Sequence, residues 1–69
     1  MRPEHFLWSK MESAREIRAY RAADWLMMII PSLRDNTWHV IIDRVGENGV
    51  LVNRLMTKEE IFHAFKIEV

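Results

Sequence analysis

The chain has 69 residues with ten Lys and Arg, ten Asp and Glu, three His and no Cys, for a formal net charge of zero. Disulfides and thiolate zinc sites are therefore excluded, and a domain this small must be held by packing that only narrowly exceeds the entropy of ordering. Neutrality argues against a polyanion binder driven by bulk charge, and 49% hydrophobic residues with two Gly and two Pro argue against disorder.

Residues 1–69 read as a single small α+β domain with no repeat, linker or low-complexity stretch, and residues 1–9 read as an N-terminal arm or short strand. Phe6-Leu7-Trp8 is an apolar run flanked by charge, too short for the core of a signal peptide. The longest apolar run, Trp25 to Pro31, falls far below the roughly 20 residues that span a bilayer. With no Cys to suggest an oxidising compartment, the expectation is a self-contained cytoplasmic chain that does not engage a membrane.

The first start signal in chain order is Ser13-Ala14-Arg15-Glu16, a Ser-x-x-Glu capping box, with Ser9-Lys10-Met11-Glu12 offering the same box one turn earlier. This predicts a first helix whose apolar side runs through Ala19, Tyr20, Ala23 and Met27. Steps of three place Arg15, Arg18 and Arg21 along one ridge of that helix. The amphipathic pattern breaks near Asp24, because Trp25 and Met28 would fall on the arginine side. Residues 25–30 then read as a strand apolar on both faces, with a buried end of the helix as the competing reading.

Pro31 to Asn36 has loop chemistry, and Thr37 to Val45 is dense in β-branched and aromatic residues, as expected of a strand. Asn48-Gly49 is a strong hairpin signal, with Val50 to Leu55 as the return strand. A two-residue turn there predicts Asp43 opposite Arg54, Ile42 opposite Leu55 and Val45 opposite Val52. It assigns Trp38, Val40, Ile42 and Leu55 to the covered face, and His39, Asp43 and Arg54 to the other. The last helix opens on the capping box Thr57-Lys58-Glu59-Glu60. Met56 is placed to staple onto Ile61, and Ile61, Ala64 and Phe65 form the buried stripe.

The predicted fold is α+β in the order helix, three-stranded antiparallel sheet, helix (αβββα), with both helices on one face of the sheet. That order is similar to the topology of double-stranded RNA-binding domains and of some small toxin ribonucleases. The resemblance is one of element order, and the lysine cluster that RNA-binding domains carry at the start of the last helix is replaced here by Thr57-Lys58-Glu59-Glu60.

Little in the chain carries catalytic chemistry. His5, His39 and His63 have no metal-ligand spacing and fall on separate elements, so no metal is expected. His39 could act as a general acid or base, yet Asp43 sits about 13 Å along the same strand and no nucleophile is near in sequence. There is no phosphate loop, zincin motif or nucleophile elbow. The expectation is no enzyme and no cofactor.

Two surfaces remain. The Arg15, Arg18 and Arg21 ridge could follow a phosphate backbone, or be a solvated helix face in which Glu12 pairs with Arg15 and Arg21 with Asp24. Phe6, Leu7, Trp8 and Trp25 are large apolar groups in excess of what a two-layer core of this size needs, and such residues dominate protein interfaces. The leading reading is thus a small non-enzymatic protein-interaction module, a regulator or inhibitor of a larger host protein such as bacteriophages and mobile elements encode. Phe6, Leu7, Trp8, Arg15, Arg18, Arg21 and Trp25 are its candidate contact residues. A homodimer through a sheet edge or an open face carrying Ile41, Val45, Val52 and Met56 is a companion expectation. The alternative is a nucleic-acid-binding domain, for double-stranded RNA or DNA, using the first-helix arginines.

Overall fold

Trp25 to Ile30 has large side chains on both faces of any strand it forms, and such a strand is stable only between two paired neighbours. The computed structural model, which describes residues 6–12, 16–44, 46 and 51–69, builds the molecule this way. Its elements are β1 (Ser9–Met11), β2 (Arg18–Ala22), β3 (Trp25–Pro31), β4 (Thr37–Arg44), β5 (Val52–Thr57) and α1 (Lys58–Phe65). The strands form one five-stranded sheet in the order β1-β2-β3-β4-β5, with every neighbouring pair antiparallel. The αβββα expectation is therefore wrong: among the described residues the fold is a five-stranded meander with a single C-terminal helix.

The segment expected to be the first helix is the main correction. Ser9 to Met11 is a strand, Ser13 to Arg15 lie outside the described residues, and Arg18 to Ala22 is β2. Ala and Arg favour helix when nothing else acts, but that preference amounts to less than about 1 kcal/mol per residue. As a strand, 18–22 seals one edge of β3 along five residue pairs, from Arg18 opposite Ile29 to Ala22 opposite Trp25. The strand reading of 25–30 is the one the structure shows.

The hairpin register is the second correction. Ile42 lies opposite Val52, Val40 opposite Arg54, His39 opposite Leu55 and Trp38 opposite Met56. The shift from the expected register is three residues, an odd number, so β5 turns over. Val52 and Met56 face the core, while Leu55 faces away and is 47% exposed. The cause lies one residue further on. Met56 precedes the cap of α1 and must reach Ile61 beneath the helix, and both belong to one core cluster. A register that put Leu55 inside would turn Met56 away from its own helix. Trp38, Val40 and Ile42 lie on the covered side and His39 and Asp43 on the other, as expected, whereas Leu55 and Arg54 exchange places. Asn48 and Gly49 lie outside the described residues, while Gly46 takes φ 84, a conformation suited to glycine.

The core sits between α1 and one face of the sheet. Met27, Ile29, Val40, Ile42 and Ile61 have no exposed surface, and Tyr20, Met56 and Phe65 complete the cluster. Thr57 caps α1 as expected: its side chain accepts from the Glu60 N–H (3.2 Å), and its own N–H donates to the Glu60 carboxylate (2.9 Å). Asn36 donates from Nδ2 to Glu59 Oε1 at 3.2 Å, tying the β3–β4 loop to the first turn of the helix.

Ala23 occupies φ 52 in the two-residue connection between Ala22 and Trp25, where a side chain is strained by about 1–2 kcal/mol and glycine is not. Against the larger unfolded-state entropy of glycine, Ala23→Gly is expected to stabilise the protein by about 0.5–1 kcal/mol in urea unfolding.

The Thr57 N–H acts most strongly to hold the Glu60 carboxyl below its ordinary value of 4.5; desolvation opposes it next, and the Thr57 hydroxyl and the Arg54 charge add lesser lowering effects. A depressed folded pKa means stability fully present above the unfolded value and lost as pH falls through the folded one. Glu60→Gln keeps the cap chemistry but should flatten the loss of stability below about pH 4.5, read from denaturant midpoints across the acid range.

Candidate protein-interaction surfaces

Two parts of the surface carry large apolar groups. The first is the end of the sheet where β2 turns into β3. Trp8 and Trp25 project from β1's approach and from β3 toward the core side, where both pack partly buried against the core cluster. Phe6 bridges them, its ring centroid 5.4 Å from Trp8 and 6.0 Å from Trp25, the latter nearly parallel at 27°. Arg44, the last residue of β4, sits opposite Trp25 across the ladder and lays its guanidinium 5.9 Å from the Trp25 ring. The same guanidinium reaches Asp24 at 3.5 Å. A shallow groove of about 380 Å³ opens between Phe6, Leu7, Ala23, Trp25 and Arg44, and Leu7 beside it is 90% exposed.

The candidates read from the sequence divide accordingly. Phe6, Leu7, Trp8 and Trp25 come together at this end. Arg15 lies outside the described residues. Arg18 and Arg21 do not share a ridge: on a strand, residues three apart point to opposite faces, and Arg18 takes the core side while the exposed Arg21 takes the other. The expected ion pairs also rearrange. Asp24 pairs with Arg44 instead of Arg21, and Arg54 pairs with Glu60 at 3.3 Å instead of Asp43, because the observed register moves Arg54 away from it. Arg44 could not be placed here from sequence, since its link to Trp25 depends on the β3–β4 register.

The second surface is the face of the sheet opposite α1. The ladder aligns Met11, Ala19, Met28 and Ile41 with Asn53 in one row. It aligns Arg21, Leu26 and Asp43 in the next row toward the β2–β3 turn, and Ile30, His39 and Leu55 in the row on the other side. Among the described residues no helix packs on this face, since α1 lies with Ile61 and Phe65 on the other. Ile41 is there as expected, but Val52 and Met56 belong to the core side and Val45 lies outside the described residues. His39 hydrogen bonds through Nε2 to Asn53 Oδ1, and Asp43 sits two rows away, so the two do not form an acid-base pair.

Among the described residues no three His, Cys, Asp or Glu side chains gather as metal ligands, and no helix is long and apolar enough to cross a membrane. No protein-family model, curated protein or solved structure matches the chain.

The aromatic end separates structural from available groups in a measurable way. Trp25→Ala removes a ring packed on both Phe6 and the core and should cost about 2–4 kcal/mol in thermal or urea unfolding. Leu7→Ser, at a 90% exposed position, should change stability by less than about 0.5 kcal/mol.

Proposed function

We propose that the chain is a small non-enzymatic protein-interaction module, a regulator or inhibitor of a larger protein, working through the aromatic end of its sheet. The kind of short gene product that bacteriophages and mobile elements direct at a host protein in the cytoplasm fits this description. The observation that supports it is the meeting of Phe6, Trp8, Trp25 and Arg44 beside an exposed Leu7 and a shallow groove. Trp and Arg, with their large contact areas and planar donors, are the residue types most enriched at binding hot spots. Here the rings are held in place by their own domain before any partner arrives, which lowers the entropy cost of association.

Binding to nucleic acid through a first-helix arginine ridge is not carried forward, because residues 18–22 form a strand on which Arg18 and Arg21 face opposite ways.

The test is capture from bacterial lysate by the immobilised chain, compared with Leu7→Asp and with the double variant Leu7→Asp, Arg44→Ala. A partner held by this surface should be recovered at equal stoichiometry by the wild type and lost by the double variant, with affinity falling about 30-fold or more. Retention of that partner by the double variant, or recovery of no stoichiometric protein by the wild type, would count against the proposal.

A further inference from the structure

We propose that the open face of the sheet is closed by the same face of a second copy of this chain, with a two-fold axis running along β3. This surface lies on the opposite side of the sheet from the aromatic end, so the inference stands independently of the function proposed above.

The face is too apolar to be a water-facing layer. Leu26, Met28, Ile30 and Ile41 lie on it half-buried around the buried Ala19, and Met11 and Leu55 at its margins are 38% and 47% exposed. Antiparallel sheets that face water on one side ordinarily alternate to polar residues there. The occupant must then be apolar over most of its area, with charge at the positions facing Arg21 and Asp43.

The chain's own face meets that requirement. A two-fold axis along β3 places β2 of one copy over β4 of the other and leaves every row facing itself. In the row nearest the β2–β3 turn, Arg21 of each copy then faces Asp43 of its partner, with the two Leu26 residues meeting on the axis between them. In the next row the small Ala19 faces the large Ile41, with Met28 on the axis, and Ile30 lies on the axis one row further along. Opposite charges and unequal volumes are thus matched twice each by one symmetry operation, as an isologous interface requires.

Among the described residues neither Arg21 nor Asp43 forms an ion pair within the chain: Arg21 Nε donates to the Ala23 carbonyl, and Asp43 Oδ1 accepts from the Arg44 N–H. Turning the axis across the strands would set Arg21 near the row of Ile30 and His39, without a carboxylate opposite.

The area is sufficient but not generous. Five strands at about 4.8 Å spacing and six residues at about 3.4 Å rise present roughly 24 by 20 Å, so two copies cover about 1,000 Å² in all, near the lower bound for a specific interface. Twisted sheets packed face to face cross at about 30°, which concentrates contact on the central strands, where Arg21, Met28, Ile41 and Asp43 lie. A dimer of micromolar affinity is expected.

The test is sedimentation velocity of the full-length chain from low micromolar to millimolar concentration, with circular dichroism and thermal melts confirming that each variant folds. The wild type should reach twice the chain mass. Met28→Asp, on the axis, should remain monomeric. Arg21→Asp and Asp43→Arg, each setting like charges against each other twice, should separately weaken the dimer at least about tenfold, and the double variant carrying both exchanges should restore it. Because Arg21 is exposed and Asp43 is half-buried, these two report on association without the core being touched. A wild type that is monomeric throughout would overturn the proposal and leave the face to a different protein. A dimer undiminished by Met28→Asp, or single charge variants not rescued by the double exchange, would overturn this interface. Leu7→Asp should leave the dimer unchanged, which separates this result from the fate of the aromatic end.

Discussion

The structure depends on the apolarity of β3 on both of its faces. Met27 and Ile29 are wholly buried on one side, while Leu26, Met28 and Ile30 stand on the other. A strand of this kind cannot be an edge, since an unpaired backbone beside exposed Leu, Met and Ile invites aggregation. It recruits β2 and β4 as neighbours, and these recruit β1 and β5. The outermost strands then close the series: β1 is only three residues long and includes Lys10, a length and charge that discourage further pairing.

One helix cannot cover two faces, and this asymmetry shapes the rest of the molecule. α1 takes the side of Met27 and Ile29, held at its start by reciprocal Thr57 and Glu60 hydrogen bonds and by Met56 against Ile61. On that same side, beyond the reach of an eight-residue helix, the sheet end is covered by Phe6, Trp8 and Trp25 with Arg44 laid over them. The aromatic residues that looked surplus for a core thus have a partial structural role, filling the area the helix leaves open, while Leu7 remains outward. The structural packing and the proposed interaction surface use the same groups there, because rings packed on one flank still expose the other. The face opposite the helix has no equivalent cover among the described residues, and its charges would complement one another across the proposed two-fold.

Much of the second half of the chain was legible from sequence, because its signals are local. The capping box at Thr57, the stripe of Ile61, Ala64 and Phe65, and the β-branched run read from Thr37 to Val45 each concern residues within a few positions of one another. The first half misleads for an equally physical reason. Arg18-Ala19-Tyr20-Arg21-Ala22 has neither a strand's alternation nor a β-rich composition, and it becomes a strand because its neighbours supply partners on both sides. The ridge inferred for Arg15, Arg18 and Arg21 was a property of helical spacing, and it vanished with the helix.

By itself, then, the amino-acid sequence determined a neutral, Cys-free chain that packing must hold, with a β-rich run from Thr37 to Val45 and a capped C-terminal helix, while residues 25–30 stayed open between strand and helix end. Only the tertiary structure decided the register of β5, the conversion of residues 18–22 to β2, and hence which side chains share a face. The reason is the period of two along a strand: an odd slip costs little locally but exchanges inside for outside along its whole length. That exchange is settled by whether Met56 can meet Ile61 under the helix, a contact that no hairpin signal contains.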